Sequence, residues 1–259
     1  MNKIALISDL HLDFWLRAYR QMRVRDEKTG EERAITAQDF LNAILKKCLD
    51  AKPDLIVIAG DFANGAVEQL TPKRDGNVIT IPGNHCFYGF ELPEEPEFYE
   101  EDNLIATTMW TNFDGARGME AVIFKGISDN REIKNITWMK VSYHHQQSVD
   151  RIFEKDPEIV ITHFPPSTKS VSDRYRGDMY NPYFVNNLDN KMFYESKNIK
   201  LWMFGHVHHR HHYTLGDRIL CASNPLGYPG ENYRSFFDYE PMIIVKENDI
   251  WRIEELKNT

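Results

Sequence analysis

Short apolar runs that end in glycine or a polar residue recur through the first third of the chain, at Lys3 to Ile7, Asp54 to Ala59 and Asn77 to Ile81. Each reads as a buried strand. Between the first two, Phe40, Leu41, Ile44 and Leu45 recur at helical spacing within Thr36 to Cys48. The resulting strand-helix-strand unit predicts parallel pairing. The charged stretch Arg17 to Arg33 reads as a solvated surface loop. Further along, Ala121 to Ile127, Glu158 to Thr162 and Lys200 to Phe204 are expected as strands, and Val141 to Phe153 and Phe184 to Glu195 as helices. A long Pro/Ser/Arg/Gly loop is expected over Pro165 to Asn181. Near the end, Tyr213 to Leu215, Ile219 to Ala222, Pro241 to Val245 and Ile250 to Ile253 read as short strands paired antiparallel across tight turns. No repeat or Pro/Ser-rich linker divides the chain, so residues 1–259 are expected to form one domain.

The polar residues at the strand ends carry the chemistry. Five predicted strands run into Asp9-Leu10-His11, Gly60-Asp61, Gly83-Asn84-His85, Thr162-His163 and Gly205-His206-Val207-His208. In a parallel sheet the carboxyl ends of the strands share one edge, where ligands bind, so residues far apart in sequence converge there. Any one of these pieces arises by chance, and a lone histidine is more often structural than ligating. Core packing gives no reason for all five in a row. The glycines before Asp61, Asn84 and His206 are expected to let the backbone turn sharply as it leaves each strand. Carboxylate, amide and imidazole together suit Mn, Fe, Zn, Co or Ni better than an all-oxygen Mg or Ca site. Seven such residues sharing one carboxylate can hold two ions about 3.5–4 Å apart, the spacing used in phosphoryl transfer.

Composition narrows the partners. The 259 residues are 42% hydrophobic and 27% charged with a net charge of −8, an ordinary globular composition that argues against duplex DNA as a partner. The three cysteines, Cys48, Cys86 and Cys221, form no CxxC and are expected as free thiols of a reducing compartment. No apolar run approaches the roughly 18 residues of a membrane span, and Ile4 to Ile7 is too short for a signal peptide, so a cytoplasmic protein without a membrane partner is expected.

The ordered set DxH, GD, GNH, a solitary His and GHxH, from Asp9 to His208, resembles the calcineurin-like metallophosphoesterases. The likeness extends to a small bacterial and phage branch through Phe87-Tyr88-Gly89, Met109-Trp110-Thr111 and Ser223 to Glu231. It implies an α/β fold of two mixed sheets in a sandwich flanked by helices (αββα), which the periodicity alone does not reach. It also implies Asp9, His11, Asp61 and His208 on one divalent transition ion and Asp61, Asn84, His163 and His206 on the other, Asp61 bridging. A metal-bound hydroxide would attack phosphate mono- or diesters, with His85 contacting the phosphate and assisting the leaving oxygen. The implied partner is a small phosphate ester or nucleotide. Alternatives are an inactive binding module on the same fold and a nuclease for single strands or nucleotides. The family commonly has Asp or Glu after GNH, where this chain has Cys86; the thiol is expected to pack beside an active His85. Asn84, Asn224, Tyr228 and Arg176 are candidate substrate contacts, whereas His209, His211 and His212 read as surface histidines.

Overall fold

The computed structural model describes residues 1–26, 29–66 and 70–254. The first half runs β1 (Lys3–Ile7), α1 (Leu12–Ala18), β2 (Arg23–Arg25), β3 (Glu32–Ala34), α2 (Ala37–Asp50), β4 (Leu55–Ala59), β5 (Lys73–Asp75), β6 (Val78–Ile81), β7 (Tyr99–Glu101) and β8 (Leu104–Thr107). The second runs α3 (Glu120–Gly126), α4 (Asp129–Glu132), α5 (Trp138–Lys155), β9 (Ile159–Thr162), α6 (Asn181–Phe184), α7 (Asp189–Tyr194), β10 (Leu201–Phe204), β11 (His211–Leu215), β12 (Ile219–Ser223), β13 (Met242–Glu247) and β14 (Ile250–Ile253).

Among the described residues the strands form two six-stranded sheets, ordered β14-β13-β1-β4-β6-β5 and β11-β12-β10-β9-β8-β7, beside the β2-β3 hairpin. Both sheets are mixed: β1, β4 and β6 are parallel, as are β8, β9, β10 and β12, with antiparallel strands outside them. The alternation of side chains along each strand builds the layers. In β4, Leu55, Val57 and Ala59 face the other sheet, while Ile56 and Ile58 join the layer of Phe40 and Ile44 on α2. In β9, Ile159 and Ile161 enter the same inter-sheet layer, and Val160 packs outward with Val149 and Ile152 of α5. Strands covered on both faces read as continuous apolar runs, and all five residues of β4 are buried. Thr36 caps α2 reciprocally with Asp39, and Thr137 accepts from the Lys140 N–H to cap α5, so both long helices begin where a threonine takes up free backbone donors. No helix among the described residues is long and apolar enough to cross a membrane.

Several elements differ from expectation. Ala121 to Ile127 is not a strand but lies in helix α3 and its end; Ile123 and Phe124 are buried while Val122 is 58% exposed, a one-sided pattern that a short apolar run does not reveal. The helix expected over Phe184 to Glu195 is two short helices separated by an extended Val185. Within Arg17 to Arg33 the chain forms the end of α1 and the exposed β2-β3 hairpin; Glu27 and Lys28 lie outside the described residues. The inner strand β8 was not anticipated, and it supplies the fourth parallel strand of the second sheet.

Candidate metal centre

Every candidate ligand of the five motifs sits just past the carboxyl end of a parallel strand. Asp9 and His11 follow β1, Asp61 follows β4 and Asn84 follows β6 in the first sheet; His163 follows β9 and His206 and His208 follow β10 in the second. Backbone and side-chain bonds tie the two ends together. The His206 N–H donates to Asp9 Oδ1 at 2.8 Å, His163 Nδ1–H donates to the Ala59 carbonyl at 3.0 Å, and the Gly227 N–H donates to the Asp9 carbonyl at 2.9 Å. Asp9, His11, Asp61 and His206 all adopt positive φ, from 42° to 68°. Left-handed backbone at a non-glycine residue costs on the order of 1–3 kcal/mol and persists where the surroundings enforce it, characteristically at functional sites.

The glycines act differently from expectation. Only Gly60 of the three has positive φ, at +91°. At all three the decisive matter is room, because a Cβ on Gly60 would lie 2.1 Å from His163 Nδ1, on Gly83 2.2 Å from Asp61 Oδ1, and on Gly205 2.7 Å from Asp9 Oδ2. The candidate ligands rest directly on glycine Cα atoms. Gly60→Ala is therefore expected to lower stability by at least ~1–3 kcal/mol, the usual penalty of overpacking, and to impair metal uptake by displacing His163. Thermal unfolding and metal analysis of the variant check both.

The converging atoms are of the kind that can hold a cation. His11 Nε2 lies 3.0 Å from His208 Nε2 and 3.7 Å from Asp61 Oδ2, and His208 Nε2 lies 3.7 Å from Asp9 Oδ1. Around Asn84 Oδ1, His163 Nε2 stands at 3.0 Å and His206 Nδ1 at 3.1 Å, and His163 Nε2 is 3.4 Å from Asp61 Oδ2. Bonds of about 2.0–2.2 Å to one ion set neighbouring ligand atoms about 3–3.5 Å apart, close to these separations. Asp9 Oδ2 is buried without a hydrogen-bond partner, which leaves it free to coordinate a cation. Two of the four rings are anchored through their other nitrogen, His163 by the Ala59 carbonyl and His208 by Glu231 Oε2, which accepts from Nδ1 at 2.7 Å, whereas His11 Nδ1 and His206 Nε2 are buried without a partner. Such anchors fix the tautomer and aim the free nitrogen at the ion. The residues fit a dinuclear divalent centre, and Asp61 Oδ2 reaches a histidine of each half.

Electrostatics agree. Burial drives His11 and His206 well below the imidazole range, leaving neutral rings with a lone pair to offer. Burial opposes charge on His163, but Asp61 and Asp9 outweigh it and push its pKa up to about 9. Burial also opposes charge on His208, where the hydrogen bond to Glu231 prevails and raises it. At Asp61 burial is outweighed by His163 and His85, holding the carboxyl well below its usual range, whereas at Asp9 burial prevails and raises it. The protein alone thus gathers positive charge around Asp61, where a bound cation would substitute for protons.

His85 stands at the edge of this cluster, its ring 4.8 Å from that of His11. Its Nδ1–H donates to Asn64 Oδ1 at 2.7 Å, and its Nε2 faces the hydroxyls of Tyr228 at 3.2 Å and Tyr88 at 3.4 Å. Cys86 is wholly buried, its thiol pushed up to about 12 chiefly by burial. Asn64, three residues after Asp61, rather than the side chain after His85, orients the imidazole. Asn64 was not singled out in the sequence, and Tyr88 and Glu231 entered only through the segments that carry the family likeness, without these roles.

Of the other expected substrate contacts, Asn224 is turned inward and Arg176 outward. Asn224 is fully buried, and its Nδ2 donates to the Leu6 carbonyl at 2.8 Å and to the Tyr239 hydroxyl at 3.1 Å, so it pins the chain beneath the site. Arg176 is exposed on the loop after β9 and paired with Asp173. Tyr228 does reach the centre, packing 4.4 Å from the His11 ring. His209 and His212 are exposed, and His211 Nδ1–H is taken by the His209 carbonyl.

Residues 2–210 match the calcineurin-like phosphoesterase family, and the chain belongs to it. It is accordingly a metal-dependent phosphoester hydrolase. Among solved structures, a dimetal phosphatase from Danio rerio aligns over 98% of this chain and 95% of its own, at 12% identity and a TM-score of 0.53. The phosphopantetheinyl hydrolase of Mycobacterium tuberculosis aligns over 99% of this chain and 96% of its own, at 13% identity and a TM-score of 0.53. At such identities the likeness is one of fold. A search of curated proteins finds no match.

Proposed function

We propose that the protein hydrolyses small phosphate mono- or diesters, nucleotides among them, at a centre of two divalent transition ions. Asp9, His11, Asp61 and His208 hold one ion; Asp61, Asn84, His163 and His206 hold the other. The observation that carries this reading is the position of Asp61 Oδ2, 3.7 Å from His11 Nε2 and 3.4 Å from His163 Nε2. When bound, the ions supply an activated water and neutralise the phosphoryl oxygens. The chain supplies the rest. For the transfer the His85 ring carries a proton on both nitrogens: Nδ1–H is held by Asn64 Oδ1, and Nε2–H is given to the leaving oxygen, which leaves the ring neutral. The Tyr228 hydroxyl, kept protonated because burial pushes its pKa above the usual phenol range, donates to substrate oxygens beside His85. Three free, buried cysteines support action in the reducing cytoplasm.

A screen of monoesters, diesters and nucleotides against protein reconstituted with Mn, Zn or Fe tests the reading. Two ions per chain and metal-dependent turnover are expected; metal content near zero after reconstitution, or turnover unaffected by chelation, overturns it. The Cys86 variants report on His85. Because Asn64 already holds the imidazole, the wild type is expected to be active and Cys86→Ser to change the rate only a few-fold. Cys86→Asp is expected to destabilise the fold rather than improve turnover, since it buries a carboxylate in a thiol-sized space. Matched rates and unfolding midpoints of the three proteins decide it.

A further inference from the structure

Asp129, the first residue of α4, is a carboxylate at 1% exposure that the reaction itself does not use. Three donors converge on it. Asn84 Nδ2–H donates to its Oδ1 at 3.0 Å, the Tyr88 hydroxyl donates to Oδ1 at 2.9 Å, and the Tyr183 hydroxyl donates to Oδ2. An ionised carboxylate only accepts, so it admits the NH₂ end of the Asn84 amide and rejects the carbonyl end. With NH₂ fixed on Asp129, Asn84 Oδ1 is turned toward His163 Nε2 and His206 Nδ1. An amide rotated by half a turn would present donors to the same place and could bind no cation there.

We propose that Asp129 is a positioning residue that locks the Asn84 amide with its oxygen toward the second ion and thereby sets the affinity of that ion's position. This rests on the dinuclear reading of the centre. Tyr183 and Tyr88 hold the carboxylate in place, and because Tyr88 also lies 3.4 Å from His85 Nε2, the same carboxylate buttresses the neighbouring histidine. Residues that orient a metal ligand in this way typically govern metal affinity by about 10–100-fold.

The test is a Mn²⁺ titration of the whole chain in wild type, Asp129→Leu, Asp129→Asn, Asn84→Ala and the Asn84→Ala/Asp129→Leu pair, with folding checked by circular dichroism. Asp129→Leu is expected to keep one ion at wild-type affinity and weaken the other by about 10–100-fold. Asp129→Asn, whose amide oxygen still accepts the Asn84 N–H, is expected to recover to within a few-fold. In the Asn84→Ala background, Asp129→Leu is expected to add no further loss, because its partner is already gone. Equal weakening of both ions, undiminished binding in folded Asp129→Leu, an Asn variant as weak as Leu, or an added loss in the double variant each overturns the proposal. A second measurement needs no change at Asp129: amide-proton exchange of the Asn84 side chain in metal-free wild type, assigned by its disappearance in Asn84→Ala. One slowly exchanging Nδ2 proton supports the lock, and rapid exchange of both overturns it. A wild type that takes up no second ion overturns the dinuclear reading and the affinity claim with it, while the exchange measurement still judges the lock.

Discussion

Asp61→Ala is expected to leave turnover at or near background, with a larger loss than any other single ligand replacement. Its Oδ2 lies within 3.7 Å of His11 on one side and 3.4 Å of His163 on the other, so truncation withdraws a ligand from both halves of the centre. Its Oδ1 accepts the His85 backbone N–H at 2.9 Å, and losing that bond also loosens the 3-10 turn from Asn84 to Phe87 on which His85 is carried. One preorganised electrostatic group is commonly worth about 10²–10³-fold in rate. A residue serving both ions and the turn is expected to exceed that. His11→Ala and His206→Ala, each confined to one half, provide the comparison, with activity and metal content measured on the same preparations. An Asp61→Ala protein that keeps two ions per chain would show that the carboxylate is no bridge.

His85→Ala is expected to keep both ions and lose turnover by roughly 10²–10⁴-fold on esters with poor leaving groups, the usual value of a general acid. Aryl phosphates, whose leaving groups need little protonation, should lose much less. The geometry makes the distinction sharp. His85 offers Nε2 toward the Tyr228 hydroxyl at 3.2 Å while Nδ1 is spent on Asn64 at 2.7 Å, so one nitrogen is for orientation and the other for chemistry. Asn64→Ala, which frees the ring without removing it, is expected to produce a smaller loss in the same direction. Equal losses on good and poor leaving groups would remove the acid role and leave phosphate binding alone.

The seven candidate ligands were readable because each follows an apolar strand, and strand ends in a parallel arrangement meet without further information. The two-sheet arrangement was not readable from periodicity. β4 and β9 are covered on both faces, so Leu55 to Ala59 and Ile159 to Ile161 are unbroken apolar runs and do not say which residues meet the other sheet. Only the family resemblance separated the strands into two layers. Residues that act through others were hidden for a different reason. Asp129 and Asn84 are 45 positions apart and Glu231 and His208 are 23 apart, and a lone polar residue carries no sign of the partner that folding brings to it. Nor did Asn224 show its depth: this polar residue of the family signature is fully buried, its Nδ2 donating to backbone and tyrosine partners.

The candidate ligands divide between the sheets, Asp9, His11, Asp61 and Asn84 from the first and His163, His206 and His208 from the second. Each proposed ion therefore spans the seam where the two layers meet, and parting the layers at that end breaks coordination on both ions at once. The ions would act as a clasp as well as reagents. Any ligand that binds the folded chain alone adds about 2.7 kcal/mol at a hundredfold excess over its dissociation constant. Added to the apolar packing and the few hydrogen bonds from His163, His206 and Gly227 that already join the layers at this end, it would also slow their separation. Metal starvation would then shorten the lifetime of the folded enzyme, and the same seven side chains would govern both how fast it works and how long it survives.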